Sequence, residues 1–343
     1  TSVAVIATGV ETITGSLTAV NLVMAADPSQ IDIDGDFDVD VDDTSIDAGA
    51  LNTLSGLTSG KITTTATTIT GTNNAIKAMI ADNADDGNGI SAGSQVNITL
   101  DDGESSTFDE ISNMHNFTAG GAVTVHDITG NVDDIKALAG LSRPTLQNAT
   151  GDVTITGQNN GQDMDMTAVT NKADLIILGL GGNDDIFGAL GNDKITGGTG
   201  DDTIKGSSGT DTIIVTGIET NGLDQLWEFT TDRDGGTNLV NKGKDTIQFT
   251  KSDLLAVSNF VSYGGTGDKI DLGSGNFAEF ISGPGAVANE AGATMVYNST
   301  NGTLSFDADG TGSNASAIDI AKVYSDDGAT FVADLLIADL TFV

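Results

Sequence analysis

Apolar and polar residues alternate in short runs along the first half of the chain, and most runs give way to a stretch with helical spacing. The alternation predicts strands over Val3 to Ile6, Phe37 to Val41, Ile62 to Ile69, Val96 to Leu100, Val123 to Ile128 and Val153 to Ile155. Helical spacing groups Leu17, Val20 and Met24, then Leu51 and Leu54, Ile76, Met79 and Ile80, Ile111 and Met114, and Ile135, Leu138 and Ala139. Thr72 or Asn73 ahead of Ile76, and Asp133 with Asp134 ahead of Ile135, supply the side-chain oxygens and negative charge that favour helix N-termini.

The unit recurs at roughly thirty residues, giving about five coils of one strand and one short helix. Its spacing is uneven, and no residue motif recurs from coil to coil. Units this small cannot bury their apolar faces alone, so the coils are expected to stack into a solenoid with a parallel sheet along one side; an irregular α+β domain is the alternative. No cap precedes Thr1, which suggests a fragment, a processed product or a subunit covered by a neighbour.

The polar run QNNGQDMDMTAVTNK at 158–172 breaks this pattern, and from Gly179 a nine-residue period takes over. Its four copies read GLGGNDDIF from Gly179, GALGNDKIT from Gly188, GGTGDDTIK from Gly197 and GSSGTDTII from Gly206. Position four is Gly182, Gly191, Gly200 and Gly209; position six is Asp184, Asp193, Asp202 and Asp211; position eight is Ile186, Ile195, Ile204 and Ile213. The glycines permit a tight backbone that turns carbonyl oxygens toward one metal, the aspartate supplies negative charge, and the isoleucine fills a core. Six turn residues and a three-residue strand make nine, and two nines make a coil, so alternate turns fall on opposite edges of a roll. Beyond Ile214 the chain is strand-rich and carries Trp227, Phe229, Phe249, Phe260 and Tyr263, as a capping β-domain would. The expected fold is mainly β: a strand-plus-short-helix solenoid over 1–157, a parallel β-roll over 158–215 and a β-rich cap over 216–343.

Charge narrows the partners. Thirteen basic residues against 49 acidic ones leave a net charge of −36, yet 38% of residues are hydrophobic, so carboxylates are layered onto a foldable chain. Such a field disfavours nucleic acid and anionic lipid. Oxygen donors select calcium or magnesium, and weak calcium sites suit the space outside the cell. There is no cysteine, so metal rather than sulfur would staple any weak region. Thr1 to Ala7 lacks a basic n-region and no apolar run approaches membrane-spanning length, so secretion would need another address.

The nonapeptide resembles the RTX (repeats-in-toxin) calcium-binding repeat, a glycine-rich turn with aspartate at position six and a large apolar residue at position eight. The resemblance implies a parallel β-roll binding Ca2+ through the position-six aspartates and backbone carbonyls of stacked turns. Carried onto this chain, the metal set is Gly179, Gly182, Asp184, Gly188, Gly191, Asp193, Gly197, Gly198, Gly200, Asp202, Gly206, Gly209 and Asp211. It pairs Asp184 with Asp202 and Asp193 with Asp211, giving two complete sites and half-sites at the ends. The family's second glycine is replaced by Leu180, Ala189 and Ser207, so only the pair Gly197 and Gly198 is intact. Without metal, such a roll is expected to unfold.

Weaker features resemble the same family. DKIDL from Asp268 and FDADG from Phe306 are similar to elements in the C-terminal region of serralysin-like and other RTX exoproteins. Gly264, Gly265, Gly267 and Asp268, and SFDADGTGS from Ser305, read in themselves as β-turns. The run from Phe331 to Val343 resembles the uncleaved C-terminal address of type I secretion, and is equally a plain terminal strand.

Asp32, Asp34 and Asp36 have calcium-loop spacing, but Gly35 falls at position four and Asp43 at position twelve, so Asp32 to Asp43 reads as a solvated strand face. Thr63, Thr64, Thr65, Thr67 and Thr68 reflect β-propensity, and His115 and His126 sit in no metal frame. No nucleophile elbow, phosphate loop or zinc-protease helix is present, so no enzyme is expected. The expected function is a secreted calcium-binding structural protein, a surface-layer subunit or adhesin, outside the cell or on its surface. Its partners would be copies of itself through calcium-bridged contacts, and a cell-surface glycan or other surface component. The alternative is the RTX and export portion of a larger secreted hydrolase or toxin.

Overall fold

The computed structural model describes residues 5–6, 10–25, 31–32, 36–83, 89–92, 95–101, 105–118, 121–140, 152–169, 174–216, 222–227, 245–257, 262, 269–274, 276–289, 291–311, 316–325, 330–333 and 335–343. They form two compact units, 1–129 with 140–152, and 130–139 with 153–343.

The first unit is built from coils of strand and helix. Helices Leu17–Met24, Ala48–Ser55, Asn73–Asn83 and Phe108–Thr118 fall where the apolar spacing predicts them, as does Val132–Gly140, most of which lies in the second unit. Each begins on a polar cap: Ser16, Asp47, Thr72, Thr107 and Asn131 accept hydrogen bonds from Ala19, Ala50, Ala75, Glu110 and Asp134 N–H respectively. Three of these caps follow an identical tripeptide, Ile13-Thr14-Gly15, Ile69-Thr70-Gly71 and Ile128-Thr129-Gly130. A motif therefore does recur: isoleucine points inward, fully buried at Ile69 and Ile128 and half-buried at Ile13, glycine ends the strand and the next residue caps the helix.

Most coils carry two strands rather than one. The run Ile62 to Ile69 divides into Ile62–Thr64 and Thr68–Gly71, and Val123 to Ile128 into Val123–Thr124 and Asp127–Gly130. The strand pairing among the described residues of this unit is parallel, with Thr12–Gly15, Asp38–Val41, Ile62–Thr64 and Ile90–Ala92 in one sheet and Ser45–Asp47, Thr68–Gly71, Asn97–Leu100 and Val123–Thr124 in another. In Asp38–Val41 the aspartates face water while Val39 and Val41 are buried, a solvated strand face; the side chains of Asp32 and Asp34 lie outside the described residues.

In the second unit two parallel sheets face one another. One runs Val153–Thr156, Leu175–Gly181, Lys194–Thr199, Thr212–Val215, Thr246–Phe249, Leu340–Phe342; the other runs Asp163–Asp165, Asp185–Phe187, Thr203–Lys205, Asp224–Trp227, Ile318–Val323. Between them stand two columns of buried apolar residues, Ile155, Ile177, Ile195, Ile213, Ile247 and Leu340 against Met164, Ile186, Ile204, Leu226 and Val323. Each buried side chain of this size stabilises by about 2 kcal/mol. Both sheets cross residue 215 without a break. The second then turns antiparallel through Thr303–Asp307 and Thr294–Asn298, so this unit is mainly β.

The terminal run forms a strand, Leu340–Phe342, whose Phe342 stacks on Phe249 with centroids 5.7 Å apart. Gly264, Gly265, Gly267, Asp268, Phe229, Phe260 and Tyr263 lie outside the described residues, as does the side chain of Trp227. No described helix is long and apolar enough to cross a membrane.

Candidate metal centre

The nine-residue period sets the geometry of the turns. Residues eighteen apart are in register across a parallel pair, Ile186 on Ile204 and Ile195 on Ile213, so position-six aspartates of alternate repeats stack. Asp184 N–H donates to Asp202 Oδ1 at 2.9 Å on one edge, and Asp193 N–H to Asp211 Oδ1 at 2.8 Å on the other. The structure thus brings together the two pairs that the repeat predicts.

Position-one glycines make room for these carboxylates. A side chain on Gly197 would run into Asp202 and one on Gly206 into Asp211. At position four the approach is backbone to backbone: Gly200 presses on the Gly182 carbonyl and Gly209 on that of Gly191, leaving no space for a Cβ.

All four aspartates are buried, at 1% exposure each. Asp184 Oδ1 accepts from Gln162 N–H, and Asp193 takes Leu175 and Ala189 N–H. The second oxygens of Asp184, Asp202 and Asp211 are buried with no hydrogen-bond partner. Burial pushes the Asp184 and Asp193 carboxyls up to about 6, against the backbone N–H groups that lower them, and pushes Asp211 up to about 7. Asp202 is raised by the same cause. A neighbouring aspartate adds to the burial in each case, Asp202 beside Asp184 and Asp193 beside Asp211 among them.

A buried, unmatched carboxylate oxygen is costly unless it meets a cation or a proton. The donors here are oxygen throughout, which suits a hard divalent ion. Among the described residues no group of three or more carboxylate or imidazole side chains converges on one metal position, so a cation held here takes further oxygens from backbone carbonyls or water. The residues fit calcium.

Residues 177–213 match the family model of the RTX calcium-binding nonapeptide repeat, in four copies. The chain carries an RTX calcium-binding repeat. Such repeats bind Ca2+, and RTX-repeat proteins are generally secreted by type I systems. No curated protein matches the chain.

The RTX turns hold a second ladder, at position five. Asn192 N–H donates to Asp174 Oδ1, Asp201 to Asn183, Thr210 to Asn192 and Leu223 to Asp201, at 2.7 to 3.2 Å. It runs opposite to the aspartate ladder, so each turn is tied to its neighbours in both directions. The signal was the run of polar residues at position five, Asn183, Asn192, Asp201 and Thr210. Outside the repeat, Asp307 accepts N–H bonds from Asp309 and Gly310 within its own turn, as the β-turn reading expects.

Proposed function

We propose that the protein is a secreted, calcium-binding structural protein of the surface-layer or adhesin kind, with no catalytic role, which folds its roll on meeting external calcium and assembles with copies of itself. The observation that carries this reading is the stack of buried, partly unmatched aspartates in the RTX turns. Calcium would be held by Asp184 with Asp202 and by Asp193 with Asp211, completed by carbonyl oxygens of the glycine turns. Inside the cell, where free calcium is scarce, the uncompensated carboxylates oppose folding; outside, the ion supplies the missing charge.

Assembly is supported by the outward acidic strip of the first unit. Asp36, Asp38, Asp40 and Asp42 are exposed while Phe37, Val39 and Val41 between them are buried, so one strand face offers a row of carboxylates that divalent ions can bridge to a neighbouring copy. A surface glycan is a second partner of compatible chemistry. The test is particle size by light scattering with calcium, after excess chelator and after calcium is restored. Assemblies that form, dissolve and reform support the reading. A monomer of constant size throughout, gaining only β-structure with calcium, removes the assembly half and favours the export portion of a larger exoprotein.

A further inference from the structure

The aspartate ladder does not stop where the nonapeptides stop. Asp202 N–H donates to Asp224 Oδ1 at 3.0 Å, and Asp211 N–H donates to Asp245 Oδ1 at 3.0 Å. These are the same contacts that join Asp184 to Asp202 and Asp193 to Asp211, yet they bridge 22 and 34 residues instead of 18. Asp224 and Asp245 are buried, at 2% and 6% exposure, and lie beyond the matched span of 177–213.

The described residues on either side of Asp224 copy the turn before it. Gly222 holds φ 92° and presses on the Gly200 carbonyl, as Gly200, at φ 129°, presses on that of Gly182. Leu223 N–H takes the position-five bond to Asp201, and Leu226 follows Ile204 in the core column. On the other edge Ile247 follows Ile213. In sequence the form Gly-x-Asp-x-apolar of the repeats recurs at Gly222-Leu223-Asp224-Gln225-Leu226 and at Gly243-Lys244-Asp245-Thr246-Ile247. Inserted residues hide both from the nine-residue period.

The buried oxygens point to ligands. Asp202 and Asp211 are the members of the matched repeats that stack directly on Asp224 and Asp245, and each keeps a second carboxylate oxygen buried without a hydrogen-bond partner. The upstream end differs: the positions in register with Asp184 and Asp193 are Gln162 and Leu175, whose N–H groups satisfy the ladder without adding charge. The series is therefore three aspartates on each edge.

We infer that Asp224 and Asp245 complete two further calcium sites, one with Asp202 and one with Asp211, so that each edge of the roll holds two stacked ions. Resting as it does on calcium binding by the RTX turns, this makes Asp202 and Asp211 shared ligands, each between two ions, and makes the roll longer as a metal-binding body than the repeat motif.

Calcium stoichiometry on the full chain, titrated against a chromophoric chelator at physiological ionic strength, tests it. The wild type is expected to hold about four ions in its tightest class, where the matched repeats alone would give about two. Asp224→Asn and Asp245→Asn should each remove one ion, Asp184→Asn likewise, and Asp202→Asn up to two; Asp163→Asn, on an exposed side chain at position seven, should remove none. If Asp202→Asn lowers the count while Asp224→Asn and Asp245→Asn leave it at the wild-type value, the extension is wrong and the RTX sites stand. If none of the ladder variants changes the count, the calcium reading itself fails. Should either variant fold poorly, the wild-type count decides, since about two ions would overturn the inference.

Discussion

Leu180 stands in register with Gly198 across a parallel pair and holds a φ of 79°, in the left-handed region where Gly198 sits at 113°. Ser207, at φ 74°, is left-handed as well. Both occupy the position where the RTX motif has its second glycine, so the turn kept its shape and the substituted residue took the strain. A left-handed L-residue costs roughly 1 to 2 kcal/mol, and glycine gives part of that back as unfolded-state entropy. Leu180→Gly, which removes a side chain already 43% exposed, should raise the melting temperature of the calcium-loaded protein by a few degrees, as should Ser207→Gly. A lowered melting temperature for both would mean that the turns are not strained there.

Calcium removal should act on one unit and spare the other. Hydrogen exchange in excess chelator is expected to become fast across Leu175 to Val215 while Asp38–Val41 and Thr68–Gly71 stay protected, since the first unit's described strands and caps contain none of the ladder aspartates. Asp202→Ala should weaken cooperative calcium-induced folding in the same selective way. Uniform loss of protection would show that the units fold as one.

Without calcium, acid should replace the metal. The Asp184, Asp193 and Asp211 carboxyls are raised to about 6 to 7 by burial, so the folded roll holds protons that the unfolded chain has released. That contribution is fully present below the ordinary carboxylate range and is lost as pH rises through 6 to 7. Far-ultraviolet circular dichroism of the metal-free protein should therefore show more β-structure at pH 5 than at pH 8, while calcium affinity falls over the same descent because protons compete for the ligands. A metal-free roll better folded at pH 8 would contradict it.

Glu110, in the first unit, offers a control outside the ladder. Burial works against its charge, but Lys77 Nζ at 2.7 Å, Thr107 N–H and Asn73 together hold its carboxyl down to about 2. Its bond to Thr107 N–H reciprocates the bond from its own N–H to the Thr107 hydroxyl, a capping box. Glu110→Ala should destabilise the first unit by about 1 kcal/mol and leave calcium stoichiometry unchanged. The carboxylate's contribution is present above the ordinary glutamate range and fades as pH falls toward 2.

Much of this was legible in the residues. The nonapeptide names its own register, and the helix faces around Ile76 and Ile135 were visible because apolar spacing and caps agree. The strand count was not: Ile62 to Ile69 is β-branched throughout except at Ala66, and the turn inside it is made by Thr64 Oγ1 accepting the Ala66 N–H, a bond that a good strand residue can also make. Asp224 and Asp245 were missed for another reason. A fixed period is blind to insertion, whereas parallel pairing needs only that the chain return in register.

The roll's outer strand has its own kinetic consequence. Ile177, Ile195 and Ile213 find their partners one short coil away, but Ile247 lies against Leu340, at the far end of the chain. Closing a long loop costs more entropy and takes longer than closing a short one. The repeats can zip while Phe249 still faces water, so the protein should pass through a state with its coils wound and one raw sheet edge open, the moment at which it is most exposed to pairing with a stranger.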